Sequence, residues 1–371
     1  MAPLSGLNVV EAASFLSGPM AGMMLADLGA NVVKVEPPRG DPYRRFGRPY
    51  GDSSLLFKAA NGNKTSVALD LKTDDGMNAL FELLADADVL ITNWRPSVAP
   101  KMGLTPERVR ADFPNLIWCR VSGYGQDGPR SELPAYDGIV QARSGAAISG
   151  TETPMNTNNN VADKVSAMFA AQTITAALHQ RSRTGTGSIC DLAMVDAMAY
   201  FYGADISAGH RVVDAEPDLD VGVQVLSDSN FKTAEGYVTL APVSGRQIRR
   251  AMEAAGCGEG FSEVMEAPRA ETFNMFASLV GPKLLERAAS EWEDIFAEAD
   301  VPAAAVRTFA EHVSDSQTVH NGTYRPVADE SVDGDWLLVR FPAFFDGHIV
   351  ETANLASPTL DSADEDQTRR S

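Results

Sequence analysis

Basic residues are scarce in this 371-residue chain: 31 Lys and Arg stand against 50 Asp and Glu, a formal net charge of −19 at pH 7. Nucleic acid and anionic membranes would repel such a chain as a whole, which argues against both as partners. Cysteine is scarcer still. Cys119, Cys190 and Cys257 lie far apart among apolar or glycine neighbours, with no CxxC or Cys/His spacing. Reduced structural thiols and no metal are therefore expected. No apolar run approaches the ~20 residues that a membrane-crossing helix needs, and Met1–Phe15 lacks the basic-then-apolar layout of a secretion signal. A cytoplasmic location is the expectation. Histidine is missing from the stretch Met1 to Asp163, all five lying beyond it.

What is present is an ordinary globular balance, 44% hydrophobic and 22% charged. The length suits two domains of ~150 residues or more. Short β-branched runs alternate with helical patterns over the first 125 residues, the signature of βαβ units and a parallel sheet. Strands are expected at Asn8–Ala12, Asn31–Glu36, Ser66–Leu71, Asp88–Asn93, Leu116–Gly123 and Ile189–Met194. Helices are expected at Pro19–Leu28, Asp74–Ala85, Pro106–Asp112, Ala162–Arg181 and Val195–Gly203, with Thr73 and Thr105 placed as N-caps. In the long helix, Val165, Met168, Phe169, Thr173 and Ala176 read as one face. The character changes after about Asp214, so the division expected is a large domain over 1–213, a small one over 214–313, and a return to the first over 314–371 with a frayed polar end.

Between Lys34 and Lys72, eight basic residues meet four acidic ones. This local excess reads either as a solvated loop or as a docking place for a phosphorylated small molecule. Several polar or aromatic segments fall at strand ends, where open α/β sheets gather ligands: Leu69-Asp70-Leu71-Lys72, Asn93-Trp94 and Gly123-Tyr124-Gly125. Ser17-Gly18-Pro19-Met20-Ala21-Gly22 after the first strand superficially suggests an NAD-dependent dehydrogenase, but only Gly18 and Gly22 of a GxGxxG fingerprint are there.

The order and spacing of Leu4-Ser5-Gly6-Leu7-Asn8-Val9, Gly18-Pro19, Leu28-Gly29-Ala30-Asn31-Val32-Val33-Lys34-Val35-Glu36, Leu69-Asp70-Leu71-Lys72, Gly123-Tyr124-Gly125 and Arg183-Thr184-Gly185-Thr186-Gly187 resemble the class III coenzyme A transferases, the CaiB/BaiF-type family of formyl-CoA and carnitine CoA transferases. The resemblance implies an α/β fold, a Rossmann-like large CoA-binding domain with an inserted smaller α+β domain, in an interlocked-ring homodimer. It implies an acyl-CoA and a small carboxylic acid as substrates, with no tightly bound cofactor. The family's catalytic aspartate matches Asp163, which on its residue pattern alone reads as a helix N-cap. CoA contacts match Leu16, Ser17, Leu69, Asp70, Leu71, Lys72, Asn93, Trp94, Lys101 and Tyr124. A basic residue that some members place after the strand-ending Glu is Pro37 here, with Arg39 as its substitute, a lysine two before the matching tyrosine is Ser122, and the glycine-rich covering loop of formyl-CoA transferases has no counterpart.

The resemblance implies CoA transfer through an aspartyl anhydride and an aspartyl-CoA thioester. A 2-methylacyl-CoA racemase or an intramolecular CoA-transferring isomerase is the alternative within the family. Racemases need a histidine as acid/base partner, and the matching segment here is Ala135-Tyr136-Asp137. A phenol with a pKa near ~10 is a poor base at neutral pH, which favours transfer. Tyr136 and Gln141 are then candidates for lining the acyl pocket, and backbone near Gly145 or Gly150 for holding an oxyanion.

Overall fold

The β-branched runs of the N-terminal half pair into one six-stranded sheet in the computed structural model of the protein. The described residues are 2–147, 155–204, 229–268, 271–329, 331–332, 334–350, 352 and 356–361. Numbering only the elements used below, the strands are β1 (Asn8–Ala12), β2 (Asn31–Glu36), β3 (Lys64–Ala68), β4 (Val89–Thr92), β5 (Ile117–Ser122) and β6 (Ile189–Ala193). Their order is 3-2-1-4-5-6 and every pairing is parallel. That is the doubly wound order, with its switch point between β1 and β4.

A sheet covered on both faces needs apolar residues at successive positions. Val9 and Ile91 pack with Leu25 and Ile174, while the adjacent Val10 and Leu90 pack with Leu80, Leu84 and Val109. The first face is covered by α1 (Ser17–Asp27) and α4 (Val161–Thr184); the second by α2 (Asp74–Ala85) and the turn of helix Pro106–Asp112. Thr73 and Thr105 cap the latter two as expected, their hydroxyls accepting from Gly76 N and Arg108 N. Ahead of α4 in the chain comes the short α3 (Asp137–Arg143), which the sequence pattern leaves unmarked.

The buried face of α4 corrects the expectation. It is built from Ala162, Val165, Ser166, Ala167, Ala170, Ile174 and Ala177. Met168 is 60% exposed. The buried residues of α1 are also small, including Ser17, Gly18, Ala21 and Gly22. These glycines explain the dehydrogenase-like segment in another way: a Cβ at Gly18 would strike Ala13, and one at Gly22 would strike the Glu11 carboxylate. They make room for protein atoms.

By its internal contacts the chain divides into two compact units, Met1–Gly203 with His320–Ser371, and Ala204–Val319. The junction expected at Asp214, like Gly150, lies outside the described residues. The second unit has a three-stranded antiparallel sheet of Asn230–Lys232, Tyr237–Leu240 and Ala303–Ala305. Its core joins Val238 and Leu240 to Met252, Phe276, Trp292 and Phe296 from three helices. No helix among the described residues is long and apolar enough to cross a membrane.

Candidate active site

Parallel strands put all their carboxyl ends on one edge, and the segments singled out in the sequence gather there. Leu69–Lys72 follows β3, Arg39 follows β2, Leu16 and Ser17 follow β1, Asn93 and Trp94 follow β4, and Tyr124 follows β5. At the switch point Asn93 clamps the two central strand ends: its Oδ1 accepts from Ser14 N at 3.0 Å, and its Nδ2 donates to Ser14 O at 2.7 Å and toward Ser17 Oγ at 3.4 Å. Leu16 and Ser17 are buried; Leu69, Leu71, Trp94 and Tyr124 are half-buried; Arg39, Asp70, Lys72 and Lys101 are exposed. Leu69 N continues the ladder by donating to Glu36 O at 2.8 Å, and the Asp70 carbonyl accepts from Thr73 N and Thr73 Oγ1 before α2 begins.

The basic excess of Lys34–Lys72 separates into two groups. Lys34, Arg44, Lys58 and Lys64 are buried and paired. Lys34 Nζ lies 2.8 Å from Glu11 Oε1 and 3.0 Å from Asp41 Oδ2. Lys64 Nζ lies 2.7 Å from Glu11 Oε2 and donates to Pro19 O and Asn61 Oδ1. Arg44 holds Glu36 through two nitrogens, at 2.7 and 2.6 Å. Half of the apparent phosphate-docking charge is therefore spent inside the fold, leaving Arg39, Arg45, Arg48 and Lys72 exposed.

Asp163 is not the cap of its helix. Asn160 occupies the N-cap position in a left-handed conformation without a side-chain bond, and Asp163 sits in the first turn. The capping is done from α3. Asp137 Oδ1 accepts from Ala162 N at 2.7 Å and from Asp163 N at 3.2 Å. Gln141 in turn holds Asp137, donating from Nε2 to Asp137 Oδ2 at 2.5 Å and to Thr157 O at 3.2 Å, while its Oε1 accepts from Thr157 N at 2.8 Å. Gln141 is thus fully buried with its amide occupied. Its side chain is engaged by Asp137 and Thr157. Gly145, exposed at φ +83, ends α3 in the left-handed turn that a residue with a Cβ avoids.

Burial, with the Asp137 carboxylate adding to it, pushes Asp163 up to about 7. Two carboxyl groups side by side cannot both ionise cheaply. Tyr43 is the other near neighbour, its phenol pushed up to about 12 by burial and then by the Asp163 and Asp41 carboxylates. Around it stand Phe15, Phe46 and Tyr136, with ring centroids 6.0 Å apart for Phe15–Tyr43, 6.4 Å for Phe15–Phe46 and 5.4 Å for Phe15–Tyr136. Phe15 has φ +64, a strained conformation for a side chain of its size, and is held there by its N–H donating to Asp41 Oδ1 at 3.2 Å. The same oxygen accepts from Tyr43 N at 2.9 Å. Sequence reasoning missed Phe15, Tyr43, Phe46 and Asp137. Asp137 stands directly after the marked Tyr136, but the left-handed backbone of Phe15 has no sequence signature in a non-glycine residue.

A family model described as CoA-transferase family III matches residues 4–364. The chain is 29% identical over 367 residues to the cinnamoyl-CoA:phenyllactate CoA-transferase of Clostridium sporogenes, an alignment covering 92% of this chain and 87% of that protein. It is 36% identical over 270 residues to the succinate–glutarate CoA-transferase of Agrobacterium fabrum, covering 69% and 67%. The crystal structure of a CaiB/BaiF family protein from Brucella suis superposes with a TM-score of 0.84 at 28% identity, covering all of both chains. With its doubly wound sheet and strand-end edge already described, the protein belongs to CoA-transferase family III and is an enzyme of that class.

Proposed function

We propose that the protein moves CoA from an acyl-CoA to a free carboxylic acid with Asp163 as covalent carrier. The observation that carries this reading is the half-buried Asp163 carboxylate in the first turn of α4, close enough to Tyr43 to raise its phenol and itself raised by Asp137, whose Oδ1 accepts from Asp163 N. The ionised carboxylate attacks the thioester carbon, the C–S bond breaks, and a mixed anhydride and CoA thiolate result. The thiolate then attacks the Asp163 carbonyl, the anhydride C–O bond breaks, and the donor acid leaves as its carboxylate. The acceptor carboxylate attacks the aspartyl-CoA thioester, giving a second anhydride and thiolate. Attack of that thiolate on the acceptor's carbonyl yields the new acyl-CoA and restores Asp163. One thioester replaces another, so no ATP is needed.

The surroundings support each demand. Burial that raises Asp163 also makes it more basic and hence a stronger nucleophile once ionised. Tyr43, kept protonated by the same carboxylates, has an O–H to offer a developing oxyanion, and the backbone near Gly145 is a further candidate donor. We place CoA along the strand-end edge, against Leu16, Ser17, Leu69–Lys72, Asn93, Trp94, Lys101 and Tyr124, with exposed Arg39 and Lys72 as cations for its phosphates. The same reading includes an inserted small domain, a threaded homodimer, no tightly bound cofactor and a cytoplasmic setting. Racemisation gains no support: the histidine nearest in sequence to Asp163, His179, is exposed on the far part of α4.

The test is incubation with an acyl-CoA and a free acid, followed by chromatography for a new acyl-CoA and the released donor acid. Hydroxylamine should trap an adduct on the peptide containing Asp163. Epimerisation of a 2-methylacyl-CoA without exchange between acids would overturn the proposal.

A further inference from the structure

Resting on the transfer reading above, we propose that the acyl side of this site takes an aryl-bearing monocarboxylic acid, received by Phe15, Phe46 and Tyr136 with Tyr43 beneath them. Phe46 is 57% exposed and Tyr136 60% exposed, while Tyr43 under them is buried. Large rings left this open on one side, grouped around a single centre, form an incomplete aromatic cluster. Phe15 is that centre. It meets Phe46 at 77° and Tyr136 at 72°, both edge-to-face, and Tyr43 stacks on Phe46 at 21°. Another ring fits such a cluster by the same edge-to-face preference, which a linear alkyl chain does not share.

The cluster borders the reacting carboxylate. Tyr136 immediately precedes Asp137, whose carboxylate binds Asp163 N. Phe15 is kept in its strained conformation by Asp41, and Asp41 is fixed by Lys34, itself paired with Glu11. A chain of buried ionic contacts thus ends in the presentation of one aromatic ring.

Charge argues against a second carboxylate on the substrate. Asp163 and Asp137 already crowd each other, and Lys34 and Arg44, the cations bound to the Tyr43 segment, are taken by Glu11, Asp41 and Glu36. Of the two exposed arginines flanking Phe46, Arg45 is turned to donate to Arg39 O at 2.6 Å, and Arg48 remains the one that a dicarboxylate would need.

The experiment compares kcat/KM for 3-phenylpropionate, hexanoate and glutarate as acceptors with one acyl-CoA donor. The aryl acid should lead both others by about tenfold or more, the usual reach of apolar-pocket discrimination. Phe46→Ala and Tyr136→Ala should each cut that lead several-fold while melting close to the parent, as exposed positions allow. Hexanoate or glutarate matching the aryl acid overturns the inference and leaves the transfer reading standing. An unchanged lead in both variants also overturns it. Transfer to no acid at all overturns the transfer reading, and the inference with it.

Discussion

A carboxylate that must be ionised to attack, yet is half-buried beside another carboxylate, carries its own pH dependence. With Asp163 pushed up to about 7, the proposed nucleophile is mostly protonated at pH 6, so kcat/KM should rise with pH through a limb near 7. Asp137→Asn keeps an oxygen to accept from Ala162 N and Asp163 N but removes the neighbouring charge, so the limb should move to lower pH. A limb unmoved by that change would detach Asp137 from the titration. Stability runs the other way. The folded state holds the Asp163 proton between its unfolded value of ~3.9 and about 7, so its contribution falls as pH rises across that window. Asp163→Asn should therefore raise the melting temperature at pH 8 and change it little at pH 4, by calorimetry. The same variant, or Asp163→Ala, should lose transfer by about 10⁴-fold or more while retaining CoA binding, as expected when a nucleophile is removed. A variant that still turns over at a tenth of the parent rate would end Asp163's role as carrier.

Among the elements, β1 and α1 show how the site is held and how far a sequence reads. Glu11 is fully buried and binds both Lys34 and Lys64, and Gly22 of α1 leaves the space its carboxylate fills. Glu11→Gln would take the carboxylate from buried Lys64 and leave Lys34 with Asp41 alone, a loss of about 3–5 kcal/mol by analogy with broken buried pairs. Urea unfolding would measure it, and a loss under ~1 kcal/mol would mean the network is loosely coupled. Asn8–Ala12, Asn31–Glu36, Asp74–Ala85 and Pro106–Asp112 were legible to the residue, because β-branched runs and threonine caps are local signals. Patterning starts strand β3 two residues late, at Ser66, since Lys64 is a residue type that it assigns to the surface. The face of α4 was misread for the opposite reason: Met168 looks like core, whereas close approach to α1 selects alanine and serine. The polar and aromatic segments at strand ends were visible as motifs. Phe15, Tyr43 and Phe46 were not, because only the Asp41 contacts and the fold of the 42–46 turn bring the three rings together.

For the whole molecule the excess of 19 negative charges sets one expectation and the proposed assembly another. Self-repulsion of a net-negative surface weakens as salt shortens the Debye length from ~10 Å at 0.1 M to ~3 Å at 1 M, so the melting temperature should climb over that range. The buried pairs of Glu11, Lys34 and Lys64 are shielded from solvent and should contribute little to that change. The proposed threaded homodimer makes a sharper demand, because closed rings passed through each other cannot part unless one of them opens. Light scattering should give twice the chain mass at every dilution that can be read. Two differently tagged populations, mixed under native conditions, should stay unmixed for days, and hybrid dimers should form only after joint unfolding and refolding. Ordinary two-fold dimers separate and re-pair at a rate set by interface dissociation alone. Hybrids forming within hours below the melting temperature would therefore rule out threading, and a monomer by light scattering would rule out the dimer altogether.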